Sequence, residues 1–333
     1  MARRDGRVWP FTKIQGMLGN VTGAFSEPED FEAALRAEGC LHLLITGRGQ
    51  FRAQLTGVEL HRLRVSATEE RLPRIAFLAV PAEMVVLVFP MDGSQLPICG
   101  GIAARPGEIM TLGPSEQVHS RTGGPSQTGA IWLRGNELVR YAGALTGGPF
   151  AIPVAMQRWR PKPKAAKDLR NLHAAAIRMA MTHPQGLVDA ETAHGLEQQL
   201  IHVVIESLTD GSVDRPTRPG RRRQDIMARF ERLLHDQPER DVPITEICAT
   251  LDVSERLLRG LCADHLGVGP IAYNRLRRMS LVRYTLRRGD GETSVAAVAE
   301  RYGFRSPGRF AVNYRSIFDE SPSATLRRSQ EGL

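Results

Sequence analysis

The chain has 333 residues, 42% of them hydrophobic, with a mean hydropathy of −0.24. That is enough material for two buried cores, and no apolar run reaches the roughly 18–20 residues of a membrane span. The net charge of +8 is concentrated: residues 215–333 hold 22 Lys+Arg, all of them Arg, against 15 Asp+Glu, while residues 1–214 nearly balance at 22 against 21. Arg presents a planar fork of donors that suits phosphates and guanine edges, although a solvated basic face carries the same charge.

The first ten residues, MARRDGRVWP, are basic, but no apolar segment follows them, so a secretion signal is not expected. Four cysteines (Cys40, Cys99, Cys248, Cys262) lie scattered without C-x-x-C spacing, which fits a reducing cytoplasm better than a disulfide framework or a zinc site. Residues 28–37 (PEDFEAALRA) read as a brief helix. Around it, residues 1–160 read as mostly β: LHLLI (41–45), RIAFLAV (74–80) and MVVLVFP (84–90) alternate with Gly and Pro breaks at 46–49, 104–107 and 122–125. Short strands at that spacing predict a sandwich or barrel.

The Pro-rich joint at 160–164 changes the texture. From 165 to 210 the spacing is helical, with Leu169, Leu172, Ala176, Met179 and Ala180 on one face and Leu196, Leu200, Val203 and Leu208 on another. Two such helices can pack on the β domain or on a second copy of the chain. Residues 211–224, rich in Pro, Gly and charge, read as an interdomain linker. Residues 225–333 are then a second domain, nearly all helical.

That domain contains an internal repeat. ITEICATLDVS ends at Ser254, and SVAAVAERYGFRS ends at Ser306. Each copy is a short helix with a small residue near its end (Cys248, Ala299), a turn, an apolar plug (Val253, Phe304) and a Ser placed to cap the next helix. Gly303 supplies the positive φ that such a turn wants, and Asp252 holds the matching place less comfortably. Pro307 fits the first position of the following helix. Leu258, Leu261, Cys262 and His265 should be core in the first unit, and Phe310, Tyr314, Ile317 and Phe318 in the second. Residues 271–288 read as one long helix between the units, lined by Ala272, Leu276, Met279, Val282 and Leu286. The two second helices begin 52 residues apart. A rigid strut of this kind can place them in successive major grooves, about 34 Å apart.

The faces left over can meet DNA. Arg256, Arg259, Arg309 and Asn313 are the candidates for reading bases, since Arg pairs with guanine and Asn with adenine in the major groove. Ser254, Arg305, Ser306, Arg315 and Ser316 are the candidates for the phosphate backbone. A surface Arg is often only solvated, so the pattern carries more than any single residue.

At these residues the sequence resembles the AraC/XylS family of transcription regulators. VSERLLR (253–259) with LGVGP (266–270), and VAERYGFRSPGRFA (298–311) with YRSIF and Ser321-Pro322, are similar to that family's two helix-turn-helix units. The resemblance covers about residues 225–328. It implies an α+β chain: an N-terminal cupin-like β domain with a helical dimerisation segment, and a C-terminal all-α domain with two helix-turn-helix units. It further implies a cytoplasmic homodimer, double-stranded DNA and RNA polymerase as partners, activation of transcription, and a small-molecule effector. Departures are Cys262 where an aromatic core residue is usual, Gly260 where a polar reader is common, and Asp319 where Gly usually follows Phe. Pro307, Gly308 and Val312 stand where relatives often place polar groups, so the second unit is expected to read few bases, with Arg305, Arg309 and Arg315 on phosphates.

An enzyme is the alternative, with the DNA-binding half attached. It is disfavoured: His42, His61 and His119 are isolated, no H-x-H occurs in the first 160 residues, and no P-loop or G-x-S-x-G elbow is present. No cofactor or metal is expected. Trp132 and His119 are weak candidates for an effector pocket, and each is better read as packing. A ligand-independent DNA-binding protein is the third reading.

Overall fold

The computed structural model describes residues 21–91, 97–182 and 190–331. The basic N-terminal stretch read for a signal, and part of the helical segment at 183–189, lie outside the described residues. The chain is mixed α+β, with a sheet-rich N-terminal part and a helical C-terminal part.

The N-terminal part runs β1 (Val21–Phe25), α1 (Pro28–Leu35), β2 (Cys40–Ile45), β3 (Ala53–Glu59), β4 (Leu63–Glu70), β5 (Arg74–Ala79) and β6 (Met84–Pro90). It continues with β7 (Ile98–Cys99), β8 (Ile102–Ala103), β9 (Ile109–Leu112), β10 (Gln117–Thr122), β11 (Ser126–Arg134) and α2 (Gly135–Thr146). Then come β12 (Gln157–Arg160), α3 (Pro163–Thr182), α4 (Ala190–Thr209) and β13 (Ser212–Asp214). Among the described residues eight strands form a large sheet in the order β1-β3-β4-β11-β6-β9-β12-β13, and five form a small one in the order β2-β5-β10-β7-β8.

Why the strands read as unbroken apolar runs follows from the two-residue period of a strand. In the large sheet Val85, Leu87, Ile109, Ile131 and Leu133 point to one face, where α2, α3 and α4 cover them. Their alternates Val86, Met110, Leu112 and Trp132 point to the other face and meet Val118 and Cys99 of the small sheet. Both faces are buried, so both sets of positions are apolar. The small sheet repeats the logic. Leu43 and Ile45 of β2 face inward against Phe31 and Phe51, while Leu44 and Ile75 face outward onto the C-terminal helices.

The apolar faces expected on 165–210 close on the large sheet of the same chain: Leu169, Ala176, Ala180, Leu200, Val203 and Leu208 are all in that core. Periodicity identifies a face to be buried but not what buries it. The stretch 211–224 departs from the structureless linker that its composition predicts. Residues Ser212–Asp214 pair with β12, and Asp214 bridges Arg158 and Arg160 at 2.6 Å. A helix begins at Arg218, with Thr217 Oγ1 accepting from the Gly220 N–H. Sheet-edge hydrogen bonds and ion pairs offset an ordering entropy that composition alone makes look prohibitive.

Burial also sets a pH response. His173 of α3 is fully buried and donates from Nε2 to the Ser66 carbonyl at 2.9 Å. Burial pushes its imidazole down to about 4, and burial does the same to His265, also to about 4. Below about pH 6.5 the unfolded chain takes up protons that the folded chain refuses. Stability is therefore full above pH 6.5 and falls as the pH drops toward 4, by about 2 kcal/mol for each of these histidines at pH 5. Thermal melts at pH 7.5 and pH 5 should show this decline, and a flat profile would contradict the burial of both rings as neutral groups.

Candidate nucleic-acid interface

Seven helices make the C-terminal part: α5 (Arg218–Asp236), α6 (Ile244–Leu251), α7 (Glu255–Leu266), α8 (Pro270–Leu286), α9 (Val295–Arg301), α10 (Pro307–Phe318) and α11 (Pro322–Glu331). The first unit is α6–α7. Asp252 ends α6 at φ 54°, the left-handed conformation that Asp tolerates better than most side chains. Ser254 then caps α7, its Oγ accepting from the Leu257 N–H at 3.2 Å. Leu258, Leu261, Cys262 and His265 are buried, with Ile247, Leu251 and Phe230 among their neighbours. Cys262 fills a position where an aromatic ring would need more room.

The second unit is α9–α10. Gly303 takes φ +77° at the turn, and Pro307 opens α10. Ser306 stands at the N-cap, but its side chain makes no capping bond; the expected cap is a position only. Phe310 and Tyr314 are buried, and Ile317, Phe318 and Phe304 pack on them half-buried. Asp319 closes α10 at φ 59°, doing the work usually given to Gly.

The long helix lies where it was expected, and it belongs to both units. Tyr273 completes the first core, while Met279, Val282 and Leu286 complete the second. Arg278 ties the two together, donating to the Tyr302 carbonyl at 2.9 Å and to Asp241 at 2.6 Å.

All the residues singled out for DNA lie on the outer faces of the two units or at the caps. Ser254, Arg256, Arg259, Arg305, Ser306, Arg309 and Arg315 are exposed, and Asn313 and Ser316 are half-buried. Arg259 is engaged by Glu255, one turn earlier, at 2.6 Å. An exposed pair of this kind contributes little and exchanges readily for a base or phosphate. The Ser316 hydroxyl is turned back onto the Asn313 carbonyl at 2.8 Å.

Sequence reasoning missed how this domain is held. The outer face of the small sheet carries His42 and His119, and α5 presents Glu231 to it. The Glu231 carboxylate, 1% exposed, receives His42 Nε2 at 2.7 Å, His119 Nε2 at 3.1 Å, Tyr273 Oη at 2.7 Å and Arg277 Nε at 3.0 Å. Burial opposes its charge, but facing His42 and Arg277 it is held well below the usual carboxylate range. Burial keeps His119 below the ordinary imidazole value. Among the described residues Nδ1 of His42 and of His119 is buried without a hydrogen-bond partner, and each ring donates to the carboxylate from Nε2–H. A second clasp lies at the other end of α8. Arg283 donates to Glu29 at 2.6 Å, to Glu27 at 2.7 Å and to Glu320 at 3.3 Å, and Arg287 donates to Glu29 at 2.7 Å. The available signal was α8 itself, whose Arg277, Arg278, Arg283 and Arg287 are set among apolar residues on every side.

Beside the second clasp a cleft of about 690 Å³ opens between the two parts of the chain, with Phe51, Arg52, Arg71, Arg283, Phe318 and Glu320 among its walls. Trp132 and His119 are not among its lining residues. Trp132 belongs to the core between the sheets.

Two helix-turn-helix units on a shared strut helix, with arginines along their outer faces, define a DNA-binding domain of the two-unit kind. Residues 247–328 match the family model described as a helix-turn-helix domain. Over 105 residues the chain is 37% identical to the XylDLEGF operon transcriptional activator 1 of Pseudomonas putida, covering 30% of this chain and 31% of that one. Another XylDLEGF operon transcriptional activator of Pseudomonas putida is 34% identical over 106 residues, 31% of this chain and 33% of that one. The chain thus spans about a third of the length of these curated relatives. Among solved structures it is similar to the AraC-like transcriptional activator CuxR, with 17% identity, 80% of this chain and 95% of that chain covered, and a TM-score of 0.41. It is also similar to ToxT from Vibrio cholerae, solved with a bound unsaturated fatty acid, with 14% identity, 83% and 98% covered, and a TM-score of 0.29. Residues 247–328 are thus a helix-turn-helix domain similar to the matching third of these operon activators.

Proposed function

We propose that the whole chain is a sequence-specific, DNA-binding transcription regulator, an activator, working in the cytoplasm as a homodimer and meeting RNA polymerase at its promoters. The observation that carries this reading is the pair of recognition helices, α7 and α10, whose outer faces stay open to solvent although the domain is docked on the β part. On this reading Arg256, Arg259, Arg309 and Asn313 meet base edges, and Ser254, Arg305, Ser306, Arg315 and Ser316 meet phosphates. The two-sheet N-terminal part serves as a cupin-like sensor, and α3–α4 provide the dimer contact through what they leave outside the core.

A small effector would sit in the cleft beside Arg283. Its walls come from both parts of the chain, so an occupant there would bear directly on how the DNA-binding domain is held. Thermal stability measured across a panel of metabolites tests this arm: an upward shift identifies an effector, and no shift for any compound favours a ligand-independent regulator.

The DNA arm is tested by incubating the purified chain with a randomised duplex pool at physiological salt and sequencing the retained fraction. Enrichment of one motif supports the reading, and uniform, salt-sensitive retention contradicts it. Within that motif Arg256→Ala should cost about 1–3 kcal/mol at one base position and relax the preference there. Equal weakening on every duplex would move Arg256 to the phosphate backbone.

A further inference from the structure

Val312 lies at the middle of α10 and is 70% exposed. At 100° per residue it points away from Phe310 and Tyr314, which are buried on the opposite side of the helix. Arg309 and Ser316 fall three and four residues away on the same face. No intramolecular contact calls for a branched apolar side chain there. A β-branched residue on an open helix surface loses rotamer freedom and gains no burial. Gly308, one turn earlier on that face, has nothing within 4 Å of where a Cβ would lie. So the protein's own packing does not demand a glycine either, and the surface in front of Val312 is bare.

Building on the DNA-binding reading above, we infer that Val312 is a specificity-determining residue that packs against the 5-methyl group of one thymine in the major groove. Among the four bases only thymine offers an apolar group on that edge. The bare backbone at Gly308 lets α10 come close enough for a side chain as short as valine to reach it, between an arginine and a serine placed for polar contacts. The second unit then reads one base through an apolar contact, beside the polar contacts of Arg309 and Asn313.

The test uses the full chain and the duplex selected from the random pool. Each thymine of the motif is replaced in turn by deoxyuridine, which keeps the pairing and lacks only the methyl. The wild-type chain should bind one of these duplexes roughly fourfold more weakly, the effect expected for one buried methyl, and the others unchanged. Val312→Ala should bind the thymine and deoxyuridine versions of that position equally, with an unaltered thermal melt because the site is exposed. Indifference of the wild type to every replacement, or a thymine preference undiminished in Val312→Ala, overturns the inference while leaving the DNA-binding reading in place. Failure of the pool to yield any motif removes that reading, and this inference with it.

Discussion

Glu231→Ala is expected to destabilise the chain by about 3–5 kcal/mol and to uncouple its two parts. The substitution leaves Arg277, 7% exposed, a buried cation without the counter-charge of Glu231, and it removes the acceptor shared by Tyr273 Oη and both imidazole N–H groups. Breaking a buried ion pair from one side costs this much because the remaining charge keeps its desolvation penalty. The loss should also split the unfolding transition. Trp132 and Trp159 are buried in the N-terminal part and no tryptophan lies beyond residue 160, so fluorescence follows that part, while ellipticity at 222 nm reports the helices throughout. In urea the two probes should coincide for the wild type and separate for Glu231→Ala. Coincident, unshifted curves for the variant would mean that the carboxylate does not hold the domains together. The pH dependence distinguishes the Glu231 carboxylate from the histidines. A depressed carboxyl contributes fully above about pH 4.3 and loses that contribution only as the pH falls through its folded value. The decline between pH 6.5 and 4 therefore belongs to the buried histidines, His119 of this node together with His173 and His265.

Phe310→Ala should cost about 3–5 kcal/mol through the cavity it leaves. The ring is 3% exposed and lies 5.2 Å from Phe304 and 5.7 Å from Tyr314, in the centre of the second unit's core. The first unit has a separate core around Phe230, Leu258 and Leu261. The expected phenotype is thus partial: lost helicity from α9–α11, with residual DNA binding through α7. A variant with full helicity and an unchanged melt would show that Phe310 is not the keystone of this unit.

The parts of this protein that were legible in its sequence are those built by neighbours in the chain. Both helix-turn-helix units declare themselves within about twenty residues each, through Asp252 and Gly303 at the turns and the three- and four-residue spacing of the core. Strand positions were legible as apolar runs, but not which strands share a sheet. The runs looked alike because both faces of the large sheet are buried. Docking left only one mark in the sequence, the arginines of α8, and nothing that named their partners. His42 and Glu231 are 189 residues apart, and neither residue type nor spacing marks a carboxylate that will collect two histidines, a tyrosine and an arginine. The same holds for α3 and α4, whose apolar stripes fit a sheet as well as a second protomer.

Whether α7 and α10 enter successive major grooves of one duplex is decided by a major-groove methylation-interference footprint of the full chain on its selected motif. Two interference patches are expected on one face, about one helical turn apart, with Arg256→Ala erasing contacts in the first patch and Val312→Ala leaving the first untouched. A single patch, or no interference at any major-groove position, would contradict that arrangement.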